Sequence, residues 1–222
     1  MSIIALLADV HANLVALEAV LAALPPVDRI WVMGDTVGYG PDPSDVLTLL
    51  REKDALVVAG NHDLAAATGE GIDLFNHHAA AAVRLHRSWL SPEERDRLAS
   101  LPLTAEADGF TLCHGSLRDP IWEYVMSQGQ AATTLALART AHCCNGHTHV
   151  PRIFRVGDRM LVNPGSVGQP RDGDPRAAYA VLDTGTAAVT LERVAYDAAE
   201  TQRRIRRRGL PDFLAERLAI GF

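Results

Sequence analysis

The sequence predicts an α/β fold in which helices pack on a mainly parallel sheet. Short apolar runs alternate with helical repeats through the first third of the chain, as in proteins whose strands are buried on both faces. A helix-rich segment follows, and apolar runs separated by turn residues then indicate antiparallel hairpins in the second half. Because 222 residues suit one elaborated domain, we expect a single domain, 1–222, with a helical insertion at 64–102.

The first third contains three predicted strands and two predicted helices. Continuous apolar runs place strands at 3–8, 29–33 and 55–59. Leucine and valine recur at helical spacing over residues 14–24, where a Pro-Pro pair ends the helix, and a second helix is expected at 45–53. This alternation indicates parallel strands with helices packed on the sheet.

The middle segment, residues 64–102, contains no convincing strand. Ser91, Pro92 and Glu94 stand in capping-box order with proline at the first helical position, so a helix begins there. Insertions near an active site often shape it, and we consider this one as a lid. Its three histidines are expected on a solvated helix face, with a substrate-facing position as the alternative: His77, His78 and His86.

The second half is expected to be antiparallel. Strands at 104–107 and 110–114 flank the turn pair 108–109, and a capped helix begins at Ser127. Further strands are expected at 141–144, 152–156, 160–162, 177–182 and 187–193. The chain then returns to helix, where the arginine run at 203–208 is expected to form a solvated face, with an anionic partner as the alternative.

The composition excludes several classes of protein. The net charge is −6, from 21 basic and 27 acidic residues, so electrostatic binding of nucleic acid over a broad surface is not expected. No apolar stretch approaches the ~20 residues that span a bilayer, and the N-terminal residues lack the basic region of a signal peptide. The three cysteines, Cys113, Cys143 and Cys144, do not make a disulfide framework. We therefore expect a cytoplasmic protein without a membrane or nucleic-acid partner.

Polar residues follow five of the predicted strands. In open α/β sheets, ligands bind at the carboxyl ends of the strands, so these residues are expected to meet in one region. The five clusters are Asp9-x-His11, Gly34-Asp35, Gly60-Asn61-His62-Asp63, His114, and Gly146-His147-x-His149.

These residue types suit a pair of metals. Carboxylate oxygen, imidazole nitrogen and amide oxygen are ligands for Mn, Fe or Zn rather than for a structural zinc held by thiolates. Residues two apart in an extended segment point the same way, which predicts a common direction for Asp9 and His11, and for His147 and His149. A glycine precedes the first ligand in three clusters and allows a sharp turn there. Each cluster alone is weak evidence, but five in this order are a strong signal.

The five clusters resemble those of the calcineurin-like metallophosphoesterases, whose blocks they match over residues 9–149. The stretches 34–41 and 163–171 look typical of the small bacterial and archaeal members, which are of the phosphodiesterase type. The resemblance implies a four-layer α/β/β/α sandwich with two metals held by loops between the sheets. It thereby makes the α/β prediction more specific.

The resemblance also implies the cofactors, which are two divalent transition metals. Mn or Fe is favoured, with Zn, Ni or Co as alternatives. The ligands of the first metal would be Asp9, His11, Asp35 and His149. The ligands of the second would be Asp35, Asn61, His114 and His147, so that Asp35 bridges the two.

The chemistry is likewise what the resemblance implies. A hydroxide bridging the two metals would attack phosphorus in line, and the metals would stabilise the developing negative charge. His62 would protonate the leaving oxygen or steady the transition state, and Asp63 would orient His62. Two further residues are candidate substrate contacts: Asn13, for which a helix cap is the alternative, and Arg171, for which a solvated loop charge is the alternative.

The predicted function is a binuclear metal-dependent phosphoesterase acting on phosphodiesters or nucleotides, with a small phosphate ester or nucleotide as its substrate. A phosphomonoesterase of the same fold, acting on a protein or a small molecule, is the alternative function. The sequence leaves open whether the chain forms a homo-oligomer. A non-catalytic scaffold, like the retromer subunit of this fold, is disfavoured because His62 and every ligand position are filled. A nuclease is disfavoured by the short chain and the −6 charge.

Overall fold

The computed structural model describes all residues, 1–222, and contains two five-stranded sheets. The strands are β1 (Ile3–Leu7), β2 (Arg29–Val32), β3 (Leu56–Val57), β4 (Thr104–Ala107), β5 (Phe110–Cys113), β6 (His142–Cys144), β7 (Arg152–Val156), β8 (Arg159–Asn163), β9 (Ala177–Asp183) and β10 (Ala188–Val194). The helices are α1 (Leu14–Ala23), α2 (Pro43–Glu52), α3 (Asn61–Thr68), α4 (His77–Trp89), α5 (Pro92–Ala99), α6 (Gln128–Leu137), α7 (Ala198–Arg207) and α8 (Asp212–Glu216). Two short 3-10 helices span Ile72–Leu74 and Arg217–Ala219.

The first sheet has the strand order β10-β9-β1-β2-β3. Its first three strands along the chain are parallel, as predicted, and β9 and β10 add an antiparallel hairpin beside β1. The third strand is shorter than expected, because only Leu56 and Val57 pair with β2. The helix after β2 begins at Pro43 rather than at residue 45, since proline suits the first turn of a helix.

The second sheet has the order β4-β5-β6-β8-β7 and is mixed. The hairpins β4–β5 and β7–β8 are antiparallel, as predicted. The expectation of an antiparallel second half is wrong at β6, which runs parallel to both β5 and β8. The reason is that α6 carries the chain from β5 back to the start of β6, and such a crossover joins parallel strands.

The hydrophobic core lies in three layers of side chains around the two sheets. Leu6, Trp31 and Phe110 belong to a buried cluster that joins the facing sides of the two sheets. The outer face of the first sheet packs on α1 and α2, and the outer face of the second packs on α6. The predicted four-layer α/β/β/α arrangement is therefore confirmed.

The segment 64–102 is helical, as predicted, and Ser91 and Glu94 form the expected capping box. Its helices are packed into the protein on two sides. Ala79 and Ala82 of α4 join a cluster with residues of α7 and α8, while α3 and α5 enclose a second cluster around Leu98. Only Leu74, Phe75 and Asn76 of the segment line the cleft described below.

The arginine run at 203–208 is largely committed to contacts within the chain. Arg204 pairs with Glu200 of its own helix at 2.8 Å and with Asp42 at 3.1 Å. Arg208 donates to the main-chain oxygen of Pro41 and lies over the ring of Trp89. The expectation of a solvated face is wrong only for the half-buried Arg204, which ties α7 to the segment before α2, because Arg203, Arg206, Arg207 and Arg208 are exposed. No helix of this chain has both the length and the apolar character to cross a bilayer.

Candidate metal centre

The polar residues that follow the strands converge in one buried region. Asp9 and His11 follow β1, Asp35 follows β2, and Asn61 begins α3 just after β3. The remaining donors follow β5 and β6 in the second sheet: His114, His147 and His149. Each of these seven side chains is no more than 5% exposed. All seven predicted metal ligands therefore come together in the structure.

The backbone at five of the seven candidate ligands is left-handed rather than extended. The φ angles are 52° at Asp9, 49° at His11, 54° at Asp35, 68° at His147 and 59° at His149. The expectation that the Asp-x-His and His-x-His pairs lie on extended backbone is therefore wrong. Left-handed backbone at such residues costs about 1–3 kcal/mol each and is concentrated at functional sites.

The glycines of the clusters serve two different purposes. Gly34 has φ +78° and makes the sharp turn that was predicted before Asp35. Gly60 instead allows close packing, since a Cβ at this position would lie 2.1 Å from the Asp35 Oδ1 atom. Gly146 does the same, since its Cβ would lie 2.9 Å from the main-chain oxygen of Met33. Larger residues at these two positions would push the ligand loops apart.

The donors form two sets that share Asp35. In one set, His11 Nε2 lies 3.1 Å from His149 Nε2, and His149 Nε2 lies 3.5 Å from Asp9 Oδ1. In the other set, His114 Nε2 lies 2.9 Å from His147 Nδ1 and 3.0 Å from the Asn61 side-chain oxygen. Asp35 Oδ2 lies 3.6 Å from His11 Nε2 and 3.5 Å from His114 Nε2.

The outer ring nitrogen of each of the four histidines faces a main-chain carbonyl oxygen. These pairs are His11 Nδ1 with Val37 (3.0 Å), His114 Nδ1 with Met33 (2.8 Å), His149 Nδ1 with Gln169 (2.5 Å) and His147 Nε2 with Trp122 (3.3 Å). Because a carbonyl can only accept, the outer nitrogen carries the proton and the inner nitrogen presents a bare lone pair. Two such lone pairs only 2.9–3.1 Å apart repel one another unless a cation lies between them. The donor set therefore fits divalent metals.

Burial gives the site unusual acid–base properties. It raises the pKa of Asp35 to about 8 and raises the pKa of Asp9 well above its usual value. It lowers the pKa of His114 to about 4 and that of His147 to about 2. Burial without metal thus favours uncharged side chains, whereas a bound divalent cation favours ionised carboxylates and neutral imidazoles.

A cleft of about 370 Å³ opens over the donors and includes His62 in its lining. The His62 ring centroid lies 4.5 Å from those of Tyr39 and Phe75. Its Nδ1 atom is buried without a hydrogen-bond partner, and a Cβ at Gly38 would lie 2.2 Å from that atom. Burial lowers the pKa of His62 well below its usual value, so the ring is neutral at pH 7. A larger cavity of about 580 Å³ beside α2 and α5 contains none of the metal donors.

Asp63 does not contact His62, which corrects the predicted orienting role. Its Oδ1 accepts hydrogen bonds from the main-chain nitrogens of Thr36 and Val37 and from the Thr36 hydroxyl. Its Oδ2 accepts from the main-chain nitrogen of Gly60. Asp63 therefore fixes the loop after β2 to the start of α3, and these two segments carry Asp35 and Asn61.

The two predicted substrate contacts have different positions. Asn13 is a helix cap, because its side-chain oxygen accepts from the main-chain nitrogen of Ala16 and its amide donates to Gly168. Both polar groups of its side chain are thus engaged away from the cleft. The predicted substrate contact is therefore wrong for Asn13, which has a structural role. Arg171 does line the cleft, where it lies 3.2 Å from the Tyr39 hydroxyl. The alternative of a solvated loop charge is therefore wrong for Arg171.

Several residues that line the cleft were not predicted as site residues from the sequence. Trp122 and Tyr124 form one wall, and the Tyr124 ring stacks on His147 with centroids 3.9 Å apart. The aromatic pair in the loop after His114 is a signal that could have indicated this wall. Arg217 enters from the 3-10 helix near the C-terminus, and no local pattern singles it out.

Similarity to known proteins agrees with this geometry. The calcineurin-like phosphoesterase superfamily domain matches residues 1–187. An uncharacterized protein of Methanocaldococcus jannaschii is 33% identical over 99% of this chain and 98% of its own length. Phosphodiesterase YfcE of Escherichia coli is 27% identical over 82% of this chain and 87% of its own. The crystal structure of a metallophosphoesterase from Sphaerobacter thermophilus is 41% identical with a TM-score of 0.90, covering 99% of both chains.

The family, the fold class and the enzyme class predicted from the sequence are confirmed by these matches. The chain belongs to the calcineurin-like phosphoesterase superfamily, a metal-dependent superfamily of hydrolases that act on phosphoric esters.

Proposed function

We propose that the chain is a binuclear metal-dependent phosphoesterase, acting as a phosphodiesterase or a nucleotide phosphohydrolase. The observation that carries the proposal is the position of Asp35. Its Oδ2 atom lies 3.6 Å from His11 Nε2 of one donor set and 3.5 Å from His114 Nε2 of the other. A carboxylate in this position can serve both metals, as a bridging ligand in a two-metal site must.

The proposed cofactors are two divalent transition metals, with Mn or Fe favoured by the mixture of carboxylate, imidazole and amide donors. Asp9, His11, Asp35 and His149 would hold the first metal, and Asp35, Asn61, His114 and His147 would hold the second. When bound, such a pair supplies a water activated for in-line attack on phosphorus and charge to stabilise the transferring oxygens.

His62 is proposed to contact the leaving oxygen. Its ring lines the cleft beside Asp35 and Asn61, and its low pKa keeps it neutral at pH 7. A neutral imidazole carries one N–H group, which can donate to an ester oxygen. That hydrogen bond strengthens as negative charge develops on the oxygen, so it stabilises the transition state more than the bound substrate.

Arg171 is proposed to contact a phosphate oxygen of the substrate. The cleft volume of about 370 Å³ falls within the range of small-molecule sites, which is about 300–1,000 Å³. These features support a small phosphate ester or a nucleotide as substrate, in preference to a nucleic acid.

The location proposed for the protein is the cytoplasm. Its three cysteines are buried and free, as expected in a reducing compartment. Burial also raises the pKa of Cys143 to about 12, so this thiol is a poor nucleophile and a poor metal ligand.

The experiment is hydrolysis of bis-p-nitrophenyl phosphate by metal-stripped protein, with and without added Mn²⁺. His62→Ala is assayed in parallel, and His77→Ala is the matched control because His77 is an exposed histidine of α4. We expect turnover that requires the metal, two metals bound per chain, and a loss of about 10²–10⁴-fold in kcat for His62→Ala alone.

The other outcomes separate the competing functions. Turnover of p-nitrophenyl phosphate without turnover of the diester would identify a phosphomonoesterase. Two bound metals without turnover of either ester or of nucleotides would favour the non-catalytic scaffold. A chain that binds fewer than two metals would contradict the binuclear proposal.

A further inference from the structure

Two arginines face the cleft without an acidic side chain as a partner. Arg171 lies in the loop after β8, and Arg217 lies in the 3-10 helix that follows α8. Neither arginine forms an ion pair with an acidic side chain at 4.0 Å or less. Six other arginines in the second half of the chain do form such pairs: Arg118, Arg176, Arg193, Arg203, Arg204 and Arg206. No acidic side chain of this chain therefore neutralises either of the two cleft guanidinium groups directly.

Their hydrogen-bonding capacity is also incompletely used. The Nε atom of Arg171 is buried and has no partner, although its Nη2 contacts Tyr39 and Gln169 at 3.2 and 3.1 Å. Arg217 donates from Nε to the oxygen of Phe222, the last residue of the chain, and its two Nη atoms make no hydrogen bond within the chain. Unpaired donors of this kind, held in a cleft, are what a ligand with several oxygens would satisfy.

Both arginines lie over the same tyrosine. The guanidinium carbons are 5.6 Å (Arg171) and 5.9 Å (Arg217) from the centroid of the Tyr39 ring. That ring lies 4.6 Å from the ring of the metal donor His11 and 4.5 Å from the ring of His62. The arginine pair thus borders the position of the reacting phosphate without belonging to the donor sets.

The two charges act on one another. Burial, followed by the charge of Arg171, lowers the pKa of Arg217 to about 10. Mutual repulsion of this kind is relieved when an anion binds between two guanidinium groups. A phosphate suits this position because guanidinium forks match its oxygens bidentately.

Arg217 lies outside the part of the chain that the superfamily domain matches, which ends at residue 187. The C-terminal helices bring it to the cleft, because Ile205, Leu214 and Leu218 pack in one cluster with Tyr39. The second cationic group thus lies outside the matched domain and outside the two donor sets. A charged group in that position is suited to selecting a substrate.

We propose, on the basis of the proposed function, that Arg171 and Arg217 form a subsite for a second, non-reacting phosphate next to the phosphate that is hydrolysed. The aromatic wall of Phe75, Trp122 and Tyr124 offers flat apolar surface to a base in the same cleft. The preferred substrates are then nucleoside di- or polyphosphates or their esters, and not phosphodiesters that carry a single phosphate.

The experiment compares two probes that differ by one phosphate, adenosine monophosphate and the non-hydrolysable α,β-methylene analogue of adenosine diphosphate. Their Kd values are measured by calorimetry on the Mn²⁺-loaded protein, under excess metal, for wild type, Arg217→Gln, Arg217→Lys and Arg207→Gln. Arg207 is the matched control because it is exposed on α7 and makes no ion pair. The same probes are also tested as inhibitors of bis-p-nitrophenyl phosphate hydrolysis.

We expect the diphosphate analogue to bind wild type at least about tenfold more tightly than the monophosphate, the effect of one charge-assisted contact. Arg217→Gln should remove most of that difference, Arg217→Lys should restore part of it, and Arg207→Gln should leave it unchanged. Equal binding of the two probes by wild type, or equal weakening of both by Arg217→Gln, would overturn the subsite. Calorimetry gives this answer even if wild type fails to hydrolyse the diester, so failure of the proposed function and failure of the subsite are distinguishable.

Discussion

Asp63 is placed by its hydrogen bonds among the backbone segments that carry the metal donors. It follows His62 directly in α3, and neighbouring residues of a helix do not face one another. The predicted contact between the two is therefore ruled out by helix geometry, although both residues stand together in the sequence cluster. Asp63 acts on the site through Thr36 and Gly60, whose main-chain nitrogens it binds.

Replacing Asp63 with asparagine tests this structural role. The amide would keep one acceptor oxygen but present N–H groups in place of the other, where the carboxylate oxygens together accept four hydrogen bonds, so we expect a loss of about 1–3 kcal/mol in the free energy of unfolding. Urea denaturation at pH 7 measures it, with Asp73→Asn as the control because the Asp73 side chain is fully exposed. Unchanged stability together with a shifted pH profile of kcat would instead support a direct action on His62.

The convergence of the candidate metal ligands could be predicted from the sequence because each one follows a strand, and strand ends meet at one edge of a sheet. Their orientation could not, because left-handed backbone at Asp9, His11 and His149 depends on neighbours that are distant in sequence. The Asp9 main-chain nitrogen, for example, donates to Gly34. Arg217 could not be predicted either, since only the packing of the C-terminal helices brings it to the cleft.

The helix α4 fixes the loop that carries Tyr39. Its residue His86 is fully buried, with Nδ1 accepting from the main-chain nitrogen of Gly38 at 3.0 Å and Nε2 donating to the Gly40 oxygen at 2.8 Å. The expectation of a solvated face is therefore wrong for His86. The spacing of Ala79, Val83 and His86 along one helix face could have indicated its burial.

Replacing His86 with alanine leaves the Gly38 N–H and the Gly40 carbonyl buried and unpaired, so we expect a loss of about 1–3 kcal/mol in stability at pH 7. Burial lowers the pKa of His86 to about 4, so its contribution is present above pH 6.5 and declines as the pH falls toward 4. Urea denaturation should show a larger difference between wild type and variant at pH 7 than at pH 5. His77→Ala is the control, and equal stability of His86→Ala and wild type at pH 7 would contradict the role of α4.

The two-sheet architecture was only partly accessible from local sequence. Apolar runs located most strands, but the direction of β6 depends on the crossover through α6, and the stacking of the sheets depends on pairings far apart in the chain. The layers became predictable through the resemblance to the family. The buried candidate donors at their edge are expected to influence how the stability of the whole protein responds to pH.

The metal-stripped protein should lose stability as the pH rises from about 6.5 to about 8. Burial raises the pKa of Asp35 to about 8, so in this window the folded chain holds a proton that the unfolded chain has released, and folding weakens with pH. Below pH 6.5, the buried histidines with lowered pKa values act in the opposite direction. Urea denaturation at pH 6.5 and pH 8, with and without Mn²⁺, measures the effect, and Asp35→Asn should reduce it. Equal stability of the stripped protein at both pH values would contradict the raised pKa.

The position of β1 between β9 and β2 has a consequence for the order of events during synthesis. All seven predicted donors have been made once the ribosome passes His149. The main-chain oxygen of Asp9, however, accepts from Gly168 and from the Ser166 hydroxyl, and β1 lacks one of its two neighbours until 177–183 has emerged. A nascent chain that carries every candidate donor therefore still lacks two of the hydrogen bonds to Asp9 and one neighbour of β1. If the proposed metals bind, we expect tight binding only after the last strands have emerged, which would make metal loading a late step of maturation.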